Sequence, residues 1–129
     1  MDRSLDWMAQ AEHLKEQAAW LIQGGFFDGA CFHCQQAAEM AVKAVHQSRR
    51  LEAWGHMISK LLGGLPKDLV VPEGVVLAAA RLDRFYVPAR YPNGFESGAP
   101  KDYFKAKDAQ EALENCSLVI DFCRRTLDG

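Results

Sequence analysis

Cys31 and Cys34 stand three residues apart with His33 between them, in the run Ala30-Cys31-Phe32-His33-Cys34. That spacing is shared by zinc knuckles and thioredoxin-like dithiols, two chemistries that depend on thiolates held close by the local backbone. A zinc site needs two further ligands, and Cys116 and Cys123 lie almost two helical turns apart, awkward for one tetrahedral ion. A redox dithiol normally sits at a helix N-terminus beside a strand, whereas this pair falls about a turn into a helical pattern. What the spacing does match is an apolar helix seam, Phe27, Cys31, Cys34, Ala38, Ala41 and Val45. All four cysteines sit on such seams, so they are expected to be core fillers that bind no metal. A redox or metal sensor acting through Cys31 and Cys34 is the competing reading.

The second group with chemical content is Gln35-Gln36-Ala37-Ala38-Glu39-Met40-Ala41-Val42-Lys43. Glu39 and Lys43 stand at i, i+4 in the order that favours an ion pair, worth ~0.3 to 0.5 kcal/mol on an exposed helix. Gln36, Glu39 and Lys43 share one side of the helix, offset from the seam, as a solvated or dimer-facing stripe or as part of a polar site. Of the histidines, His13, His33 and His46 fall off the main seams and read as solvated or partly buried. His56 follows Trp54-Gly55 and opens a short helix, where it caps the helix or lines a site.

Positioning these groups requires helices. Trp7, Ala11, Leu14, Ala18 and Leu21 alternate steps of four and three, with Met8 and Ile22 widening the stripe, until Gly24-Gly25 ends it. Asp28 is the expected N-cap of a second helix running to about Arg50. A short third helix fits His56 to Leu62. A fourth begins near Pro72 and carries Val75, Ala78, Leu82 and Phe85 on one face. The last starts near Lys101 to Lys105 and shows Ala106, Ala109, Leu113, Cys116, Ile120, Cys123 and Leu127. Between them, residues 87–102 hold three prolines and two glycines, the longest irregular segment, of a kind that tends to be functional or mobile. No window alternates with period two. The expected fold is all-α: an up-and-down four-helix bundle with a short extra helix and a long Pro/Gly loop before the last helix.

At 129 residues, with 49% hydrophobic and 25% charged residues, residues 1–129 are expected to form a single globular domain. The net charge of -2 argues against a generic grip on nucleic acid, although a local basic patch remains compatible with it. The N-terminal residues lack an apolar signal core, and no apolar run approaches the ~20 residues of a membrane span, so the expected location is cytoplasmic, with reduced thiols.

Three stretches together resemble the HEPN domain, a bacterial and archaeal helical family. They are Phe27 to His46 with its QQAAE run and a lysine four residues on, the Gly-His of Ala53 to Leu62, and the Arg-Tyr-Pro of Arg90 to Pro92 before the terminal helix. The resemblance implies a four-helix bundle that dimerises, is often encoded beside a minimal nucleotidyltransferase partner, and is proposed to bind nucleotides. Many members are metal-independent ribonucleases whose signature is an Arg and a His separated by four to six residues near the start of the last bundle helix. No histidine follows Arg90 in this chain. Arg50 and His56 match the spacing but straddle a different loop.

The sequence therefore points to a non-catalytic HEPN module in a toxin–antitoxin-like context. It is expected to be a homodimer that binds a nucleotide or RNA, a minimal nucleotidyltransferase partner, or both, without a cofactor or catalytic residues. Arg90 is the expected phosphate contact and Tyr91 the stacking surface, with Lys43, Gln36 and His56 as second choices. Arg90 could instead pack on Tyr91 and pair with a carboxylate to pin the loop. A divergent ribonuclease, using Arg90 with a histidine from another helix or from the dimer mate, is the enzymatic alternative.

Overall fold

The computed structural model describes residues 1–86 and 90–129; Val87, Pro88 and Ala89, at the start of the Pro/Gly segment, lie outside the described residues. The described residues form five α-helices, in order α1 (Ser4–Gln23), α2 (Phe27–Ser48), α3 (Ile58–Gly63), α4 (Glu73–Asp83) and α5 (Ala106–Asp128). Among the described residues there is no strand, and no helix is long and apolar enough to cross a membrane. The four longer helices form the bundle, with α3 as the short insert between α2 and α4.

Helix α2 is the centre of the molecule. None of its residues is exposed, because α1 packs along one side, α5 along another, and α3 and α4 close part of the rest. Small side chains make this crowding feasible: Ala30, Ala37, Ala38, Ala41 and Ala44 are all fully buried and let neighbouring backbones approach. These alanines are thus consumed inside the protomer and leave no small-residue surface on α2 for a second subunit. Leu82 of α4 and Ile58 of α3 are also fully buried, each contributing about 2 kcal/mol of apolar burial.

Several element boundaries differ from the sequence expectation. Phe26, not Asp28, occupies the N-cap of α2, and Asp28 lies in the first turn, where its charge favours the helix N-terminus. The turn from α1 needs Gly25, whose φ of 80° is a left-handed value that a side chain resists. Helix α3 begins at Ile58, two residues later than expected, because its first free amides are taken from outside the helix. Asp83, at the end of α4, accepts hydrogen bonds from the backbone N–H of Ile58 (2.6 Å) and of Ser59 (3.2 Å). His56 therefore does not cap α3. His46 is buried as well, contrary to the solvated or partly buried reading; its Nε2 lies 2.8 Å from the carbonyl of Leu61 and ties α2 to α3.

The Pro/Gly segment is folded onto the bundle over its described part. Two 3-10 turns, Pro92–Gly94 and Pro100–Asp102, shape it. Phe95 stacks on Tyr103 with ring centres 4.3 Å apart, and Phe104 meets the edges of Phe95 and Phe85. This run of rings fastens the segment to the end of α4.

All four cysteines are free and fully buried in the core. Burial pushes the thiols of Cys31 and Cys123 up to about 12. Cys34 is raised as well, first by hydrogen bonding with Cys116 on the facing helix and then by burial. Such thiols carry almost no thiolate near neutral pH, the species that attacks disulfides and binds metals. Among the described residues, no group of three or more His, Cys, Asp and Glu side chains is arranged to hold a metal ion.

Candidate functional site

The site is assembled around one buried carboxylate. Glu39, in the middle of α2, has a side chain only 5% exposed, so its charge needs partners close by. Lys43, one turn on, donates from Nζ to Oε2 at 3.0 Å with its own side chain 12% exposed. Gln35, one turn back, lies 3.4 Å from Oε1 through Nε2, and the same amide donates to the backbone carbonyl of His56 at 2.9 Å. Gln36 donates to Oε1 of Gln35 at 2.8 Å. The polar side of α2 is therefore a closed hydrogen-bonded row, not a solvated stripe.

His56 completes the row from outside the helix. Gly55, with φ at 92°, turns the chain so that the imidazole faces α2, and Nδ1 lies 3.1 Å and 3.2 Å from the two oxygens of Glu39. A carboxylate can only accept, so Nδ1 carries the proton, and in the neutral ring Nε2 is left as the proton acceptor. The side chain is 50% exposed. On its other side the imidazole stacks on Tyr86, with ring centres 4.6 Å apart and planes 14° from parallel.

Tyr86 links this dyad to Arg90. Its backbone carbonyl accepts a hydrogen bond from Arg90 Nε at 2.7 Å. The guanidinium carbon lies 4.5 Å from the centre of the Phe32 ring, 5.0 Å from that of Tyr86 and 5.2 Å from that of Tyr91. Three aromatic rings thus surround one cation, each within the range of a cation–π interaction. None of the ion pairs among the described residues involves Arg90, so the carboxylate expected to pin it is not part of its environment. With Nε committed to Tyr86, the terminal N–H groups remain for an anion. Tyr91 is 48% exposed.

Residues separated widely in sequence therefore meet on one side of the bundle. Gln36, Lys43 and His56 join through Gln35 and Glu39; His56, Arg90 and Tyr91 join through Tyr86. Lys43 and Gln36 act mainly within the network, holding Glu39 and Gln35, while Arg90, Tyr91 and His56 present the accessible groups. Sequence reasoning did not single out Tyr86, Phe32 or Asp83. Tyr86 carried a weak signal, one helical turn beyond Leu82 on the face of α4 that packs inward.

Comparison with known proteins agrees with this architecture. The family model for the HEPN domain matches residues 4–126. A crystal structure of a Thermus thermophilus protein superposes with a TM-score of 0.95 at 40% identity, covering 98% of this chain and 99% of that one. An archaeal HEPN homologue gives 0.82 at 36% identity over 97% and 98% of the two chains. An HEPN domain protein from Thermotoga maritima gives 0.78 at 31% identity over 95% and 98%. Among curated proteins none matches. The match over residues 4–126 and the likeness to these helical bundles show the class, and this chain belongs to the HEPN domain family.

Proposed function

We propose that this chain is a non-catalytic HEPN module that binds a nucleotide at the corner formed by Arg90 and Tyr91. It works as a homodimer beside a minimal nucleotidyltransferase partner, in a toxin–antitoxin-like setting. One observation carries the ligand reading: Arg90 is held by the Tyr86 carbonyl and three aromatic rings, is paired with no carboxylate among the described residues, and keeps its terminal N–H groups beside the half-exposed ring of Tyr91. A guanidinium oriented in this way matches phosphate oxygens, and a neighbouring phenol ring offers a base a face to stack on. The homodimer and the nucleotidyltransferase partner rest on membership of the family.

Calorimetric titration of the wild type, Arg90→Lys and Tyr91→Leu with a nucleotide and with inorganic phosphate tests the ligand reading. Arg90→Lys weakens both ligands although charge is retained, because a lysine offers a point charge in place of a fork of donors. Tyr91→Leu weakens the nucleotide and leaves phosphate unchanged. Equal affinities in all three proteins would assign the loop a structural role only.

The Glu39–His56 pair favours a second reading, a divergent ribonuclease. A buried carboxylate that fixes the imidazole tautomer leaves Nε2 free to take a proton from a ribose 2′-hydroxyl, with Arg90 nearby to receive phosphate charge. Cleavage of single-stranded RNA by the purified protein, abolished by His56→Ala, would establish it; no cleavage above a buffer blank would exclude it.

A further inference from the structure

A separate pocket of about 500 Å³ opens where the end of α1 meets the start of α2. Its walls include His13, Glu16 and Trp20 from α1, Phe26 from the turn, and His33 from α2. None of the groups of the Arg90 site lines it. Trp20 and Phe26 are two of the most exposed aromatic rings in the chain, at 69% and 62%. Phe26 is held there by close packing on Gly24, where an added Cβ would come within 3.0 Å of the ring.

Among the lining residues Glu16 is the one Asp, Glu, Lys or Arg, beside the imidazoles of His13 and His33. Glu16 takes part in no ion pair among the described residues. No lysine or arginine is among the lining residues; Glu16 stands on the ridge between this pocket and a depression between α1 and α5 that it shares with Lys15. The last turn of α1 contains no basic residue, but its carbonyls are taken by the amides of Gly24, Gly25 and Phe26 and the N-terminus of α2 follows at once, so the two helix ends offset each other. His33 donates from Nδ1 to the carbonyl of Gly29 at 2.9 Å, which leaves Nε2 of the neutral ring as an acceptor. Two aromatic walls, a carboxylate and an imidazole acceptor have the combined chemistry that holds a flat organic cation.

We infer that this pocket is a binding site for a small aromatic cation, an aryl amidinium, guanidinium or ammonium. The aryl body lies between Trp20 and Phe26, and the charged N–H groups face Glu16 and Nε2 of His33. The site is independent of the Arg90 corner, and its ligand carries the opposite charge.

Benzamidinium is the test probe, with benzamide as its neutral counterpart of nearly the same shape and N-acetyl-argininamide as a cation without the aryl body. Binding is followed by NMR through the indole N–H of Trp20 and the imidazole of His33, in wild type, Glu16→Gln and Trp20→Leu, with melting curves to verify folding. Benzamidinium is expected to shift both resonances in saturable fashion, about tenfold more tightly than either comparison compound, a difference of one charge contact. Glu16→Gln removes about that tenfold preference over benzamide, Trp20→Leu abolishes the His33 response, and Arg90→Lys changes neither. The inference is overturned if benzamide or N-acetyl-argininamide binds as tightly as benzamidinium, or if Glu16→Gln leaves the preference intact. It is equally overturned if the Trp20 signal moves with protein concentration and not with probe, because the pocket would then be covered by a second copy of the chain.

Discussion

His56 donates its Nδ1 proton to the buried carboxylate of Glu39, 3.1 Å from Oε2, from 17 positions further along the chain. The contact joins the centre of α2 to a loop that has no regular structure of its own. The loop is further fixed by Asp83, whose carboxylate binds the amides of Ile58 and Ser59 just beyond it. Three segments are thereby locked together by charge-assisted hydrogen bonds, which are roughly twice as strong as neutral ones.

The first expectation concerns Glu39 and Lys43. With side chains 5% and 12% exposed, they form a nearly dry pair, unlike the exposed i, i+4 pairs that contribute a few tenths of a kcal/mol. Lys43→Met leaves the carboxylate without its ammonium partner, held only by donors from His56 and the glutamines, and Glu39→Leu strands the ammonium; each is expected to cost about 3 kcal/mol in urea unfolding. The double variant should lose markedly less than the sum, since an apolar pair replaces an ionic one. Strict additivity would mean that the two side chains do not act as a pair.

Gly55→Ala is the sharpest test of how His56 is presented. A φ of 92° costs a side-chain-bearing residue about 1 to 2 kcal/mol, and no heavy atom outside its immediate neighbours stands within 4 Å of an added Cβ. Strain alone then decides the outcome. Stability should fall by about that amount, and the His56 ring protons, shielded by Tyr86, should move towards their free-chain positions in NMR spectra. Unchanged shifts would mean that the loop holds the imidazole by other contacts.

Asp83→Ala removes the carboxylate that receives two α3 amides and is expected to cost about 1 to 2 kcal/mol, as for loss of a strong helix cap. Asp83→Asn, which keeps one acceptor oxygen, should recover part of that loss in the same denaturation assay.

Burial of the cysteines makes two predictions from one cause. In the native protein a polar thiol reagent should modify none of the four rapidly, and urea should release all four. The thiols of Cys31 and Cys123 are raised from an ordinary value of 9.0 to about 12. The folded chain keeps protons that the unfolded chain gives up, so this contribution is full below pH 9.0 and declines as the pH rises towards 12. Urea midpoints measured on both sides of pH 9.0 should show the decline, and the Cys31→Ala, Cys123→Ala variant should show less of it.

A dimer mass in light scattering, held across a wide concentration range, is expected from family membership. The buried alanines of α2 do not supply its interface, so substitutions at exposed apolar positions such as Val76, Leu77 and Leu118 are the ones to shift the mass towards monomer.

The helices themselves were legible from periodicity alone. The seams of α1, α2, α4 and α5 are regular because one face of each meets the same core, and period 3.6 records that directly. Cys31, Cys34, Cys116 and Cys123 were readable as core residues for the same reason, despite a spacing that suggests chemistry. Ala106 is the exception at the margin: it continues the seam of α5 in sequence yet is exposed, because the helix begins there and no neighbour covers its first turn. His46 failed in the opposite direction. Its position off the seam gave no sign that α3 would fold back over it and offer the Leu61 carbonyl.

The candidate site divides along the same line. Sequence alone determined that Gln36, Glu39 and Lys43 share a side of one helix, since helical spacing is a local property. It also marked His56, Arg90 and Tyr91 as residues of chemical interest. Whether that side met water or another element depended on contacts between residues far apart in the chain, and no periodicity encodes those. The tertiary structure decided that Glu39 is buried, that His56 crosses to it, and that Tyr86 stands between His56 and Arg90. The physical reason is the loop before α3, which Asp83 holds at the end of α4 and which carries His56 onto α2: the carboxylate is buried, and a carboxylate without water must find its donors in the protein.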